Sequence, residues 1–365
     1  MSLIRRQFLT RAAVAGSVLG APVIANAQSA KFNWKMTSAY GKGSPFYMDG
    51  PGSATDLAKR IREMSDGRLN IQVFGAGELI PAFEGFDAVR AGTVEMNHAN
   101  AYFWTGKTAA AQYFTAVPFG MNFQGMNGWL YDGGGIDLWN EVYAPFGMVA
   151  MPCGNTGVQM TGWFKKEIKT VADLKGLKMR LGGGLFGETM AKLGVVAQNM
   201  PAGEVYQALE KGTLDATEFV GPADDERLGF NKVAPFYYYP GWWEGGAELE
   251  FFINKKAFDT LSPENKAIVR AAGAVAARDM TAKYDALNPV ALKRLVGSGT
   301  KLKPFTKDVM DAGFKAAMEV FAAHEAKSPE FKKIHQDMRA FQRDQVLWSR
   351  FSEWRYDSFI TTAKI

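Results

Sequence analysis

The sequence predicts an α/β protein with two similar lobes and a helical C-terminal third. Three observations predict this class: a length of 365 residues, an alternation of short β-rich runs with helical segments, and a repeat spaced by 120 residues. A length near twice the common domain size favours two domains, each with its own core. Hydrophobic residues make up 47% of the chain and charged residues 22%, which is typical of a globular protein and excludes a disordered or fibrous one.

The first 27 residues have the pattern of an export signal. Arg5-Arg6-Gln7-Phe8-Leu9 is followed by an uncharged stretch over 12–24 and then by Ala25-Asn26-Ala27, a pattern that a signal peptidase recognises. The paired arginines indicate a twin-arginine signal and hence a periplasmic protein. The alternative is a membrane anchor, but the uncharged stretch is too short to span a bilayer of about 30 Å.

The segment after the leader predicts parallel α/β layers. Residues 32–36 and 69–74 alternate apolar and polar side chains, as strands do, and residues 49–65 between them have the apolar spacing of a helix. Strand, helix and strand in this order favour a parallel sheet.

The repeat predicts one similar unit in each lobe. Residues 81–95 align without gaps with residues 201–215, and six of the fifteen positions are identical. Each copy begins near a proline and ends near a glycine (Gly92 and Gly212), as a helix does, and a strand follows it. The alternative is a chance similarity between two helix ends.

The C-terminal third is predicted to be helical. Ser262 and Pro263 form a good helix start. Apolar residues at 331, 334, 338 and 341 recur at helical spacing, which predicts a long helix from 328 to about 359. Several aromatic residues beyond position 347 either pack on the protein's own core or contact a second subunit.

Composition and motifs argue against several function classes. A single cysteine excludes an intramolecular disulfide, and three distant histidines give little support for a zinc site. Without the three arginines of the leader the net charge falls from +5 to about +2, and no basic patch interleaved with aromatics indicates nucleic-acid binding. No hydrolase, nucleotide-binding or dinucleotide-binding motif is present. The glycine run at 182–184 is only a weak anion-binding signal.

Residues 154–246 contain the candidates for ligand binding. The segment 154–164, which includes Asn155 and Gln159, alternates small, polar and apolar residues as strand ends beside a cleft do. Arg180 ends a predicted strand, where its guanidinium could hold a carboxylate. Glu218 and Glu244, with a carboxamide and a carbonyl, could form an oxygen cage for a hard cation. Taken singly, each residue has a favoured structural explanation as a surface ion pair, a solvated acid or part of the core.

Seven motifs resemble a known family. They are GAGEL at 75–79, YDGGGIDL at 131–138, GNTGVQM at 154–160, LKMR at 177–180, EKGT at 210–213, ATE at 216–218 and YPGWWEGG at 239–246. In this order and spacing they resemble the periplasmic solute-binding subunits of tripartite ATP-independent periplasmic (TRAP) transporters. The branch that they resemble binds 2-oxo acids such as pyruvate together with a cation.

The resemblance implies a two-lobed fold like that of type II periplasmic binding proteins. Mixed sheets would be flanked by helices, with the ligand between the lobes and a long C-terminal helix. The implied organisation is a signal peptide at 1–27, lobe I at 28–153, lobe II at 154–245, a crossing strand and shared helices at 246–327, and the long helix at 328–365, which would join a homodimer.

The resemblance also implies roles for site residues. Arg180 would hold the ligand carboxylate, Gln159 would contact ligand and cation, and Tyr102 and Phe103 would cover the ligand from lobe I. Asn155 is included among the ligand-binding residues. The implied cation ligands are Gln159, Glu218, the main-chain carbonyl of Phe219, and Glu244. The cation would be sodium, or alternatively calcium, bound together with the substrate.

The expected function is therefore delivery of a small monocarboxylate to a TRAP membrane permease, without catalysis. Two departures from the branch leave the acid open: Phe219 stands where its members have tryptophan, and the segment 38–46 differs. The alternatives are a 2-hydroxy acid such as lactate bound with calcium, a secreted metal-dependent enzyme that uses Glu218 or Glu244, and a periplasmic ligand of a sensor.

Overall fold

The computed structural model describes residues 31–48 and 50–363, so the predicted export signal at 1–27 lies outside the described residues. The strands of this part are β1 (Phe32–Ser38), β2 (Leu69–Phe74), β3 (Met96–Ala99), β4 (Met148–Asn155), β5 (Gly162–Phe164), β6 (Lys178–Arg180), β7 (Val196–Gln198), β8 (Ala216–Thr217), β9 (Phe236–Tyr239), β10 (Glu248–Asn254) and β11 (Lys301–Pro304). The α-helices are α1 (Pro45–Met48), α2 (Ala54–Met64), α3 (Gly85–Ala91), α4 (Phe123–Tyr131), α5 (Gly135–Tyr143), α6 (Gly184–Lys192), α7 (Ala202–Lys211), α8 (Pro222–Leu228), α9 (Lys255–Asp259), α10 (Pro263–Gly297), α11 (Lys307–Glu325), α12 (Pro329–Ser349) and α13 (Glu353–Ile360).

The first sheet has the strand order β2-β1-β3-β10-β4. β1 is parallel to both of its neighbours, and β10 is antiparallel to β3 and β4. The predicted strand, helix and strand are confirmed as β1, α2 and β2. The helix begins later than predicted, after the N-cap Ser53, because Gly50 and Gly52 have φ values of 78° and 79° that no helix contains.

The second sheet has the order β11-β9-β5-β8-β6-β7 and is also mixed. β6 is parallel to β7 and β8, whereas β5 is antiparallel to β8 and β9. Buried apolar side chains form two clusters: the larger contains Phe86 of the first lobe and extends to Trp163 and Tyr237 of the second, and the smaller surrounds Phe164. The predicted class, mixed sheets flanked by helices, is confirmed.

The chain passes between the two sheets at three places. It leaves the first sheet after β4, returns between β9 and β10, and crosses again through α10, a helix of 35 residues that Ser262 caps as predicted. α10 contacts α2 and β4 of the first lobe and α8 of the second. It is tied to them by the ion pair of Arg60 with Asp279 and the hydrogen bond from Tyr284 to Asp224. The lobes therefore share α10 as a common support, while the predicted domain boundaries stay a prediction.

The internal repeat is confirmed as a structural unit. α3 and α7 end at Gly92 and Gly212, whose φ values of 74° and 77° are left-handed. β3 follows the first copy and lies in the first sheet, and β8 follows the second copy and lies in the second sheet. Each lobe thus holds one copy.

The long C-terminal helix is present as α12, but it ends at Ser349 instead of continuing to about 359. Ser352 has φ −109° and ψ −113°, and its hydroxyl bonds the carbonyl of Trp348, so α13 begins as a separate helix. α12 buries Phe331, Ile334 and Met338 against α4, α5 and residues 109–114. Within the described part of the chain, no helix is both long and apolar enough to cross a membrane.

A buried acid stabilises the core of the first lobe in its protonated form. Glu250 on β10 is fully buried, and its carboxyl oxygens accept hydrogen bonds from Trp104 at 2.6 Å and from Tyr143 at 2.8 Å. Burial is the main cause that raises the pKa of Glu250 to about 8. The carboxyl group is therefore predominantly neutral below that pH.

We expect the variant Glu250→Gln to reduce the pH dependence of the unfolding free energy. A raised pKa in the folded state gives stability that is complete below the unfolded value of 4.5 and is lost as the pH rises through about 8. Because glutamine stays neutral, the unfolding free energy of the variant minus that of the wild-type should be larger near pH 8 than near pH 5, by on the order of 2–4 kcal/mol. Urea unfolding at both pH values measures this.

The matched control is Glu264→Gln, which removes an exposed acid paired with Arg68. Its pKa is lowered in the folded protein, so its titration lies below this pH range and the wild-type slope should remain. If the unfolding free energy of Glu250→Gln falls with pH as steeply as that of the wild-type, Glu250 is not the acid with the raised pKa.

Candidate functional site

Arg180 and Glu218 form a buried ion pair at the edge of the second sheet. β6 and β8 are parallel neighbours with Arg180 opposite Thr217, so their carboxyl ends bring Arg180 and Glu218 together. Arg180 Nη1 donates to Glu218 Oε1 at 2.7 Å and to the main-chain oxygen of Glu218 at 3.0 Å. Their side chains are only 7% and 2% exposed. Burial raises the pKa of Glu218, and the positive charge of Arg180 opposes that shift.

Gln159 and Glu244 lie beside this pair on the loops before β5 and after β9. The main chain fixes both, because Gln159 N donates to the Glu244 carbonyl at 3.2 Å and Gly241 N donates to the Gln159 carbonyl at 2.9 Å. Gln159 Nε2 donates to Thr156 Oγ1 at 3.1 Å. Burial and, second, the charge of Glu218 hold the pKa of Glu244 well above its usual range.

Two oxygens of this set lack a hydrogen-bond partner. Gln159 Oε1 and Glu244 Oε2 are buried, and no group in the described residues donates to either. Buried oxygens without donors are costly, and a carboxamide with two carboxylates is a donor set that suits a hard cation. Within residues 31–48 and 50–363, no group of three His, Cys, Asp or Glu side chains could hold a metal. A cation here would therefore rest on Gln159, Glu218 and Glu244, with main-chain or ligand oxygens.

Aromatic side chains of the first lobe cover the pair. Tyr102 and Phe103 belong to the short helix Ala101–Trp104 that follows β3, and their ring centroids are 5.0 Å apart. The Tyr102 hydroxyl approaches the main chain at Gly182, where a Cβ atom would lie 3.0 Å from it and 3.4 Å from Glu218 Oε1. The glycine after the Arg180 strand thus allows the two lobes to meet. Burial holds the pKa of Tyr102 well above its usual range.

A small cavity lies among these residues. This inner cavity has a volume of about 20 Å³ and is lined by Arg180, Gln159, Tyr102, Phe103 and Phe219 of the predicted site, together with side chains that are mainly apolar. The ring of Phe219 faces Phe46 at 5.9 Å between centroids and Arg180 Cζ at 5.9 Å. The structure therefore brings these five predicted residues of both lobes to one cavity, whereas Glu218 and Glu244 are not among the residues that line it.

Asn155 does not line the inner cavity. Its Nδ2 donates to Glu248 Oε2 at 2.8 Å, and its Oδ1 accepts from Gly157 N at 2.9 Å. Because both polar atoms are bonded within the protein, Asn155 supports the loop that contains Thr156 and Gln159. Its direct contact with a ligand stays a prediction, as do the individual roles of the other site residues.

The predicted site omitted Tyr40 and Asn100, which also line the inner cavity. The Tyr40 hydroxyl donates to Asn100 Oδ1, and Asn100 Nδ2 donates to the Glu248 carbonyl at 3.0 Å. Tyr40 lies in the segment 38–46 that was predicted to differ from the family, and Asn100 directly precedes the short helix that contains Tyr102 and Phe103. Both positions adjoin segments that had drawn attention in the sequence. That Tyr40 pairs with Asn100, sixty positions away, follows only from the register of β1 with β3.

The histidines and the cysteine lie elsewhere. His98 is buried on β3 with Nε2 3.0 Å from the Gly52 carbonyl, and burial lowers its pKa to about 4. His324 pairs with Glu188, and His335 contacts the Tyr113 hydroxyl. Cys153 is buried on β4, where burial raises the pKa of its thiol. None of these four residues lines the inner cavity.

Residues 51–328 match the DctP family, which is described as bacterial extracellular solute-binding protein, family 7. The monocarboxylate 2-oxoacid-binding periplasmic protein of Nostoc sp. is 44% identical over 331 residues, which cover 91% of this chain and 90% of that protein.

Two solved TRAP solute-binding proteins have the same fold. One, from Bordetella bronchiseptica, is a dimer with calcium and picolinate in one active site and none in the other. It is 43% identical, with a TM-score of 0.87 and coverage of 91% of this chain and 98% of that one. The other, from Pseudoalteromonas atlantica, contains sodium and pyruvate. It is 40% identical, with a TM-score of 0.85 and coverage of 92% and 100%. The predicted two-lobed fold is confirmed by these likenesses.

Proposed function

This chain belongs to the DctP family of bacterial extracellular solute-binding proteins, and from that premise we propose that it binds a small 2-oxo acid such as pyruvate with a cation for a TRAP membrane permease. The observation that carries the proposal is the buried Arg180 beside Glu218, Glu244 and Gln159, two of whose oxygens lack donors. The names of relatives with at least 40% identity support a binding role without catalysis.

Arg180 is the group that would bind the ligand carboxylate. It is buried, and its guanidinium lines the inner cavity while it also pairs with Glu218. A planar guanidinium recognises carboxylates through two parallel hydrogen bonds. A charge-assisted bond in a dry site is stronger than the same bond in water. The aromatic rings of Tyr102 and Phe103 keep water from this bond when the lobes are closed.

The carboxylate of Glu218 competes with the ligand for Arg180. Glu218 Oε1 already accepts from Arg180 Nη1 at 2.7 Å, and the inner cavity of about 20 Å³ holds little more than one water molecule. A ligand carboxylate must therefore displace or share this bond. A bound cation supplies positive charge that offsets Glu218, Glu244 and the ligand, which together exceed the single charge of Arg180.

The proposed cation is sodium, with calcium as the alternative. Arg180 offsets one of the three carboxylates of Glu218, Glu244 and the ligand, so sodium would leave one negative charge and calcium none. One relative contains calcium and another sodium, which keeps both ions open to test. A thermal-shift screen of pyruvate and lactate with each ion would choose between them and would also test the 2-hydroxy acid alternative.

We expect Arg180→Ala to lose at least about a hundredfold in affinity for pyruvate, since it removes the positive partner of a buried carboxylate. Isothermal titration in the presence of the preferred cation measures this, after circular dichroism has shown that the variant is folded. Arg294→Ala is the matched control, because it removes an arginine whose ion pair with Glu226 is on the surface. Wild-type affinity in Arg180→Ala would overturn the site assignment.

We expect pyruvate binding by the wild-type protein to weaken strongly in buffer without sodium or calcium. In that buffer, Glu218→Gln should bind pyruvate more tightly than the wild-type, because a neutral carboxamide competes less for Arg180. Glu244→Gln, which alters the acid that does not bond Arg180, should show no such gain. Titrations of the three proteins with and without cation separate these cases. If Glu218→Gln binds no better than the wild-type, Glu218 does not compete with the ligand.

We further propose that the chain is exported through its leader and forms a homodimer through α12 and α13. Beyond the buried part of α12, a set of large apolar side chains is exposed, with Phe351 at 77%. Its members are Val346, Leu347, Trp348, Phe351, Trp354, Tyr356 and Phe359. Leu347 and Val346 also line a groove of about 1130 Å³ with Phe314. Exposed apolar surface of this extent indicates an interaction site, and the Bordetella bronchiseptica relative is a dimer.

We expect the double variant Phe351→Asp, Phe359→Asp to be monomeric, because it places charges within the surface that the partner copy would cover. Light scattering coupled to size-exclusion chromatography measures the mass. The control is Leu287→Asp, which changes an exposed apolar residue of α10 and should leave the dimer intact. A monomeric wild-type protein, or a dimeric double variant, would contradict the proposed interface.

A further inference from the structure

The loop that carries Glu244 is held from two directions. Its main-chain hydrogen bonds with the loop before β5 fix it on the side of the second sheet. From the first lobe, Phe119 N donates to the Trp242 carbonyl at 2.7 Å. Gly245 packs so closely on the Met121 carbonyl that a Cβ atom would lie 2.6 Å from that oxygen. The segment before α4 thus contacts the chain on both sides of Glu244.

Phe119 has an unusual backbone conformation. Its φ of 54° is left-handed, which is rare for a bulky side chain. Among the described residues, the other non-glycine residue with such a value is Asp66, a short polar residue in an exposed turn after α2. A bulky residue keeps a strained conformation only where its surroundings enforce it, and such residues cluster at functional sites. The contacts of Phe119 therefore indicate what the strained conformation maintains.

α12 and Trp242 hold Phe119 in this conformation. The carbonyl oxygen of Phe119 accepts hydrogen bonds from Arg339 Nη1 and Gln342 Nε2, each at 2.9 Å. The ring of Phe119 stacks on the ring of Trp242, with 4.9 Å between the centroids and 18° between the planes. Together with the bond from Phe119 N, these contacts connect α12 through one residue to the loop that carries Glu244.

The position of the Glu244 carboxylate depends on such support. Residues 241, 245 and 246 are glycines, so the backbone of this loop does little to select one conformation. No group in the described residues donates to the buried Glu244 Oε2. A hard cation such as calcium holds its oxygen ligands at about 2.3–2.6 Å. A small shift of the loop would therefore weaken the bond that Glu244 is proposed to make.

We infer that Phe119 is a positioning residue for Glu244 and that α12 thereby sets the affinity of the site for its cation. This inference rests on the proposed function and deepens it, because it names the part of the fold that regulates the cation site. Phe119 is not among the residues that line the inner cavity. Its effect passes through Trp242 to the carboxylate two positions along the chain.

The first test removes the stacked ring and keeps the backbone conformation. Glycine adopts a left-handed φ without strain, so Phe119→Gly removes only the contact with Trp242. We expect its affinity for the preferred cation, sodium or calcium, to fall by roughly tenfold or more, as is typical when a partner of a metal ligand is lost. Isothermal titration of the cation at saturating pyruvate measures this.

Two further variants control for the loss of a ring. Phe119→Tyr keeps the stacked ring and should keep the wild-type affinity for the cation. Phe146→Gly removes another half-buried ring, which packs on Phe86 in the first lobe, and should also leave that affinity unchanged. A loss in Phe119→Tyr as large as that in Phe119→Gly would overturn the role of the ring.

The second test asks whether Phe119 acts through Glu244. If it does, Phe119→Gly should lower the cation affinity of the wild-type protein but add little to the loss already caused by Glu244→Gln, because the two changes remove one interaction. A general loss of stability would lower the affinity equally in both backgrounds. Equal losses would overturn the inference.

The third test changes the support from α12. Gln342→Ala removes one of the two donors to the Phe119 carbonyl and should lower the cation affinity by roughly two- to tenfold, the usual effect of one hydrogen bond. Gln336→Ala, at an exposed position of the same helix, is the matched control and should have the wild-type affinity. Wild-type affinity in Gln342→Ala as well would overturn the role of α12.

The outcomes separate this inference from the proposed function. If the wild-type protein binds no pyruvate with either cation, or binds it equally well without one, the proposed function is wrong and the inference falls with it. If pyruvate binding by the wild-type protein requires the cation but Phe119→Gly has the wild-type affinity for it, the proposed function stands and this inference alone is overturned.

Discussion

The site depends on the burial of two carboxylates beside a single guanidinium. A buried charge is costly unless it is paired. The single positive charge of Arg180 can balance only one ionised carboxylate, so it cannot balance Glu218 and Glu244 together. In the structure Glu218 takes that place at 2.7 Å, while Glu244 Oε2 and Gln159 Oε1 have no donor among the described residues. With both carboxyl groups ionised, the site would therefore carry one more negative than positive charge. Burial raises the pKa of both Glu218 and Glu244, which favours their protonated forms, so the proposed cation would take the place of a proton when it enters with the acid.

The two sheets supply this arrangement through their backbone geometry. The parallel pairing of β6 with β8 sets Arg180 beside Glu218, and the loops around β5 and β9 hold Gln159 and Glu244 by main-chain hydrogen bonds. The first lobe contributes no charge to the inner cavity; its lining residues in the described chain are aromatic, apolar or uncharged. One lobe therefore supplies the charged groups and the other the cover that keeps water out. Gly182 permits their contact.

The sequence was sufficient for the local elements and for singling out Arg180 and Glu218, which the structure brings together. Period-two alternation located β1 and β2, and the glycine caps of the repeat located the ends of α3 and α7. Arg180 and Glu218 could be selected because a charged residue after a short strand stands out. Tyr40 and Asn100 could not, since their importance arises from the alignment of β1 with β3, which no local pattern encodes. The break at Ser352 was missed because the aromatic spacing on both sides of it is helical, and a serine hydroxyl that competes with the backbone leaves no periodic signal.

Phe219 shows how one position can serve two separable requirements. Its main chain follows Glu218 directly, so any cation role of its carbonyl depends on backbone geometry and is independent of the side chain. Its ring contacts Phe46 and Phe230 and lines both the inner cavity and a neighbouring pocket of about 340 Å³ between the lobes. A substitution at 219 can therefore change the space available to the ligand while the charged groups remain in place. The space beside the proposed ligand and the charge balance of the site therefore depend on different groups: the Phe219 ring for the first, and the side chains of Arg180, Glu218 and Glu244 for the second.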